Sequence, residues 1–131
     1  MDKWWDYLWV AAGSALGGVS RHWISGFLAQ RLGERFPFGT LCVNITGSFL
    51  IGLLPAFTLP ESRLLLARSS RLFLMVGVLG GFTTFSSFSL QTLNLARDGE
   101  WLYAALNIAG SVALCLLGVW LGHVAGQAIN R

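Results

Sequence analysis

Charged residues are scarce in this sequence and are confined to particular places. They make up 11% of the 131 residues, whereas hydrophobic residues make up 54%. About a quarter of the residues of a soluble domain are charged, so the deficit argues against a soluble globule and favours lipid as the main solvent. All of the acidic residues lie outside the long apolar runs, and they are Asp2, Asp6, Glu34, Glu61, Asp98 and Glu100.

The groups that support enzyme chemistry, metal binding or nucleic-acid binding are also missing. Cys42 and Cys115 lie in apolar runs without a CxxC spacing, and His22 and His123 are far apart. The sequence has no visible nucleophile–base pair, metal-ligand cluster or nucleotide-binding motif. The net charge is +3, but the arginines are scattered singly instead of forming a patch. The sequence therefore predicts neither an enzyme nor a nucleic-acid-binding protein.

Four long apolar stretches dominate the sequence. They cover about residues 7–32, 38–59, 72–95 and 101–129. Each reaches the roughly 20 residues that a helix needs to cross about 30 Å of hydrocarbon, and the connections between them are short. We therefore predict an all-α membrane protein with one domain, residues 1–131, and four transmembrane helices.

The basic residues are distributed almost evenly between the two predicted membrane surfaces. With four spans, five bases lie on the side of both termini and three on the other, or four if Arg21 is counted. The five are Lys3, Arg63, Arg68, Arg71 and Arg131, and the three are Arg31, Arg35 and Arg97. Such a weak bias permits insertion in both orientations. Because four short helices enclose a polar pathway poorly, we predict an antiparallel, dual-topology homodimer.

The third stretch contains a segment, residues 76–92, whose sequence VGVLGGFTTFSSFSLQT is unlike an ordinary membrane helix. Gly80 and Gly81 each cost a helix about 1 kcal/mol against alanine, and in lipid any freed backbone group needs a partner. Helices interrupted at bilayer depth occur where the backbone lines a cavity or binds an ion. We therefore predict that the third helix is broken in mid-membrane and that the break is the functional site.

Phenylalanines and serines alternate through the same segment. The phenylalanines step by three residues, at Phe82, Phe85 and Phe88, and aromatic residues at this spacing usually belong to a core or face lipid. The interleaved serines would face lipid poorly, however, and they are Ser86, Ser87 and Ser89. Aromatic rings have a positive edge, so rings presented edge-on could attract a small anion while excluding bulk water.

Polar residues interrupt the other stretches. The Asn44 amide could donate to a passing anion, or it could form a hydrogen bond to another helix, and both interpretations stay open. Asn107, Ser111 and Cys115 step by four along one face, which suits an ion-lined wall, although a lone membrane serine more often bonds to its own helix. Arg21 is a functional candidate because it lies inside an apolar run, or it extends to the interface.

Three sequence motifs carry a family resemblance. They are GSALGGVSRHW in the first stretch, VNITG in the second and GGFTTFSSFS in the third. Together they resemble the Fluc (CrcB) fluoride channels, and the resemblance covers essentially the whole chain. It implies a fluoride-selective channel in the bacterial plasma (inner) membrane, built as an antiparallel homodimer with two pores. Such a channel exports fluoride passively and lowers the cytoplasmic fluoride concentration.

The resemblance also implies roles for individual residues along the pore. An asparagine of the second helix, two aromatic rings and a track of hydroxyl groups would surround the fluoride ion. The residues implied for these positions are Asn44, Phe85, Phe88, Ser86, Ser89 and Ser111.

Further roles implied by the resemblance lie at the centre and the mouth of the dimer. Gly80 and Thr83 would offer main-chain carbonyls to a structural sodium ion shared across the two-fold axis. Arg21 is a candidate for a vestibule. Cys115 stands where relatives tend to carry a hydroxyl group, and Asn107 receives no role.

Two other functions compete with a fluoride channel. A small multidrug exporter is also a four-span antiparallel dimer, but proton-coupled export needs a titratable carboxylate in the membrane, and this sequence places none there. A non-transporting membrane subunit would use the polar helices for packing alone, and it predicts no ion flux through the purified protein.

Overall fold

Every regular element of the described chain is a helix. The computed structural model describes residues 3–58 and 65–131. In chain order the long elements are α1 (Lys3–Leu32), α2 (Phe38–Leu53), a composite third helix (Arg68–Arg97) and α6 (Trp101–Asn130).

Three of these elements are long and apolar enough to cross a membrane: Phe38–Phe57, which is α2 with one added 3₁₀ turn, Arg68–Arg97 and Trp101–Asn130. α1 has 30 residues, a length of about 45 Å at 1.5 Å per residue, but its polar residues make it less apolar than the others. The structure confirms an all-helical fold with three membrane-capable helices. That α1 also crosses the bilayer stays a prediction.

The helix boundaries differ from the predicted ones by a few residues. α1 begins at Lys3 rather than near residue 7, and the composite helix begins at Arg68 rather than near residue 72. In both helices the extra residues form a first turn rich in charged or aromatic side chains. Hydropathy assigns such a turn to the interface, although its backbone is helical. Leu59, the predicted end of the second span, and Arg63 lie outside the described residues.

The composite third helix is divided into four pieces. α3 (Arg68–Arg71) leads into a π-helical segment (Leu72–Val78), which is followed by α4 (Leu79–Phe82) and then α5 (Phe85–Arg97). The interruption itself consists of Thr83 and Thr84, whose backbones are extended. Gly80 and Gly81, which suggest a break in the sequence, remain helical within α4.

A stripe of glycines on α6 packs directly on α2. Gly118, Gly122 and Gly126 are all buried, and a Cβ added at Gly122 would collide with the backbone carbonyl of Phe49. Small residues allow this approach of two helix backbones in membranes. The three glycines therefore form the face of α6 that packs on α2.

α1 contacts the third helix in the same manner. Gly13 and Gly17 face the carbonyls of Phe73 and Val78 in the π-helical segment. One turn further along, a Cβ on Gly81 would lie 2.5 Å from the carbonyl oxygen of Ser14. Gly81 thus serves close packing, whereas a Cβ on Gly80 would meet no atom within 4 Å, and the break follows both glycines.

Ion pairs join the helices at each end of the bundle. At one end Arg68 bonds to Asp6 with an N–O distance of 2.7 Å, and at the other Arg35 bonds to Glu100 at 2.6 Å. The guanidinium of Arg35 also lies 4.9 Å from the ring centre of Tyr103. The hydrogen bond to Glu100 raises the pKa of Arg35. These pairs place the starts of α1 and α3 at one end of the bundle and the α1–α2 turn at the other.

Candidate functional site

The two threonines of the interruption end one helix and begin the next. Thr83 donates its backbone N–H and its hydroxyl to the carbonyl of Leu79, at 3.0 and 2.9 Å. Thr84 caps α5, because its hydroxyl oxygen accepts the backbone N–H of Ser87 at 3.1 Å. A threonine in this position satisfies one of the free N–H groups at a helix start. The two threonine side chains therefore support the break from within the third helix.

Asn44 of α2 holds the interruption from the side. Its Nδ2 donates to the Thr84 carbonyl at 3.0 Å, and its Oδ1 accepts the Thr84 N–H at 2.8 Å. Oδ1 thus replaces the acceptor that the Thr84 N–H would have in a helix, and Nδ2 adds a donor to the carbonyl of this N-cap residue. Of the two interpretations left open by the sequence, the bond between helices is present, and the second Nδ2 hydrogen is left for a further acceptor.

Among the carbonyl groups that lose their helical donors at the end of α4 are those of Gly80 and Thr83. In an α-helix the carbonyl of residue i accepts the N–H of residue i+4. The N–H of Thr84, which would serve Gly80, goes to Asn44, and the N–H of Ser87, which would serve Thr83, goes to the Thr84 side chain. The carbonyls of Gly80 and Thr83 are therefore available to another partner.

A groove with a volume of about 490 Å³ runs along the interruption. It is lined by residues of α2, the third helix and α6, and within the described part of the chain none of these lining side chains is charged. The predicted site residues that line it are Asn44, Gly80, Thr83, Phe85, Phe88 and Ser111. Cys115 lines it as well. The groove thus offers neutral donors and aromatic rings.

The two phenylalanines of the groove have very different exposures. Phe85 is 76% exposed and Phe88 is 8% exposed. Their ring centres are 5.2 Å apart with an angle of 49° between the planes. One ring is therefore fixed in the core, while its neighbour projects from the surface of the single chain.

Ser111 belongs to a hydrogen-bonded chain that joins α6 to α5. Its hydroxyl donates to the Oδ1 of Asn107 at 3.4 Å, and Asn107 donates to the Thr92 hydroxyl at 2.9 Å. Asn107 is 1% exposed, so it is the most deeply buried polar side chain among the described residues. The four-residue spacing that places Asn107 and Ser111 on one helix face is visible in the sequence. Nothing in the sequence indicates their partner Thr92 on α5.

Three predicted site residues lie outside the groove lining. The Ser89 hydroxyl donates to the Phe85 carbonyl of its own helix at 2.9 Å. The Ser86 hydroxyl lies 3.3 Å from that of Thr84, and both serines are exposed in the single chain. Arg21 is half-buried on α1, without an ion pair among the described residues. Their predicted roles stay predictions.

A second cavity, of about 370 Å³, lies beside the α1–α2 turn and the end of α5. Its lining includes Thr40, Gln91 and Asn94 together with the charged residues Glu34 and Asp98. The Oε1 atom of Gln91 is buried and has no hydrogen-bond partner within the described ranges. None of the predicted site residues lines this cavity.

Comparisons with known proteins agree along nearly the whole chain. A family model described as CrcB-like protein, Camphor Resistance (CrcB), matches residues 8–123. A protein of Methylocella silvestris is 58% identical over 96% of both chains. One of Opitutus terrae is 58% identical over 95% of this chain and 94% of its own, and one of Paramagnetospirillum magneticum is 56% identical over 95% and 98%. All three are named fluoride-specific ion channel FluC. The chain therefore belongs to the CrcB family.

Proposed function

We propose that this chain is the protomer of a fluoride-selective channel, which exports fluoride passively across the bacterial plasma membrane. Membership of the CrcB family and the names of the relatives support this function. The observation that carries it is the uncharged groove at the helix interruption, where an amide, a hydroxyl and two aromatic rings meet. The protein is a multi-pass membrane protein and acts as a channel rather than as an enzyme.

The groove supplies what a small, strongly hydrated anion needs. A pore must replace the hydration shell with donors that bind the ion well enough to admit it and weakly enough to release it. The donors here are the second Nδ2 hydrogen of Asn44, the hydroxyl of Ser111 and the ring edges of Phe85 and Phe88. Ser86 and Ser89 extend the hydroxyl track where the exposed face of α5 meets a second copy.

Export requires no energy source other than the membrane potential. The sequence has no nucleotide-binding motif, and its acidic residues lie outside the apolar stretches. A negative-inside potential favours the exit of an anion by about 2.3 kcal/mol per 100 mV for each charge. Passive flow down this potential lowers the fluoride concentration in the cytoplasm.

The channel is an antiparallel homodimer of chains that each cross the membrane four times, with the interruption at mid-depth. Thr83 and Thr84 lie near the centre of the Arg68–Arg97 span. In a single chain the open groove would leave Asn44 and Thr83 partly exposed to lipid, where polar groups are costly. A second copy in the opposite orientation covers the groove, and the weak bias in basic residues permits this insertion.

A sodium ion would suit two of the carbonyls released at the break. Gly80 and Thr83 have lost their helical N–H donors, and a Cβ on Gly80 would meet no atom within 4 Å, so its backbone is open to approach. Carbonyl oxygens are ligands for hard cations. When bound, sodium would supply a fixed positive charge that joins the third helices of the two protomers.

Fluoride efflux from liposomes tests the function. Vesicles containing the purified protein and loaded with potassium fluoride should release fluoride once valinomycin allows K⁺ to leave with it, so that no opposing potential builds up. An external electrode measures the released fluoride. Vesicles loaded with chloride should retain it. A fluoride release no faster than from protein-free vesicles would favour the non-transporting subunit. A proton-coupled release of cationic drugs would favour the multidrug exporter, which the lack of a membrane carboxylate opposes.

A further inference from the structure

A chain of hydrogen bonds connects two residues that line the groove on different helices, Ser111 on α6 and Phe88 on α5. The Ser111 hydroxyl donates to Asn107, Asn107 donates to Thr92, and the Thr92 hydroxyl donates to the carbonyl of Phe88 at 2.8 Å. Ser111 and Phe88 both line the groove, whereas Asn107 and Thr92 lie behind it. Asn107 therefore touches a groove residue without lining the groove itself.

The direction of these bonds is set by the chemistry of the amide group. The Nδ2 atom of Asn107 donates to Thr92, and its Oδ1 can only accept because a carbonyl oxygen carries no hydrogen. The proton of the Ser111 hydroxyl thus points away from the groove. An anion in the groove can be bound by Ser111 only if that proton turns towards it, which leaves the buried Oδ1 of Asn107 unpaired.

We propose that Asn107 is a positioning residue that sets the affinity of the groove for fluoride by competing for the Ser111 proton. This inference rests on the proposed fluoride conduction. The Ser111–Asn107 distance of 3.4 Å is long for a bond between a hydroxyl and a carbonyl oxygen, so the proton is held weakly and can be exchanged. Such competition keeps the anion site shallow, and a conducting pore needs a shallow site because each ion must also leave.

Asn107→Leu tests this role, because leucine is close in size and has no acceptor. We expect the fluoride concentration for half-maximal efflux to fall by about two- to tenfold, the loss of one competing hydrogen bond, and the maximal rate to fall as well. In a Ser111→Ala background the same substitution should change neither value. Should Asn107→Leu not assemble, Asn107→Ala removes the same acceptor and predicts the same shift.

Thr92→Val is the matched control. It breaks the same connection between α5 and α6 but leaves the Ser111–Asn107 bond in place, so the half-maximal concentration should stay at the wild-type value. The proposal is overturned if Thr92→Val reproduces the shift, if the shift persists without Ser111, or if Asn107→Leu alters the maximal rate alone. If the wild-type protein releases no fluoride, the proposed function fails too. If the wild-type flux is normal and Asn107→Leu leaves the half-maximal fluoride concentration unchanged, only this inference fails.

Discussion

The two halves of α6 use the same four-residue spacing for opposite purposes. In the second half Gly118, Gly122 and Gly126 are pressed against the backbone of α2. In the first half Asn107 and Ser111 occupy the same kind of stripe, but their side chains reach α5 and the groove. Small residues remove all space between two helices, whereas polar residues hold two helices at a distance that hydrogen bonds define. A buried stripe on a membrane helix is therefore a packing device or a site wall according to its side chains.

Substitution within the glycine half should have the most severe effect. Gly122→Leu would place a side chain against the Phe49 carbonyl, and overpacking of this kind costs about 3 kcal/mol or more. We expect loss of the folded protein, measured as a collapse of the thermal unfolding midpoint in detergent. Gly110→Leu on the same helix is the control, since a Cβ there meets no atom within 4 Å. Equal tolerance of both substitutions would contradict the close contact of α2 and α6.

On the polar side, the strongest effect should come from the exposed ring. Phe85→Ile removes the ring edge from the groove but keeps a large apolar side chain at an exposed position, so the fold should persist while fluoride efflux falls by about tenfold or more, the equivalent of about 1.4 kcal/mol. Efflux and size-exclusion chromatography measure the two effects separately. Phe27→Ile, at a half-exposed ring on α1 outside the groove, should leave efflux unchanged. Normal flux through Phe85→Ile would remove this ring from the pathway.

Asn44→Asp should slow conduction without stopping it. The substitution replaces the donor to the Thr84 carbonyl by a carboxylate, which repels both that carbonyl and an anion. Loss of one such hydrogen bond corresponds to roughly a two- to tenfold slower efflux. Asn94→Asp, exposed on α5 and outside the groove, adds the same charge elsewhere and should have little effect. An unchanged rate in Asn44→Asp would discard the donor role.

Hydropathy was sufficient to predict the helical fold, because the helical state of a long apolar segment depends on the residues of that segment alone. It could not locate the break. The break lies inside the predicted segment, residues 76–92, but Gly80 and Gly81 are helical, and the extended residues are Thr83 and Thr84, where Asn44, forty residues away, accepts the Thr84 N–H. The role of Asn107 was invisible for the same reason, since Thr92 lies on another helix. Dimer geometry and ion ligands depend on a second copy, so those predictions rest on sequence resemblance and on the released carbonyls.

Thr83 and Thr84 differ in which part of the residue matters. The proposed sodium site needs only the backbone carbonyl of Thr83, whereas the cap of α5 needs the side chain of Thr84. Thr83→Val keeps the branched shape and the carbonyl and removes one hydroxyl bond to Leu79, so sodium binding and efflux should change by less than about twofold. Thr84→Val removes the cap of α5, which costs about 1 kcal/mol, and should lower the unfolding midpoint. Efflux measured with and without external sodium, beside thermal unfolding, separates the two. If Thr83→Val abolished the sodium dependence, its hydroxyl would be a ligand and the carbonyl scheme would be wrong.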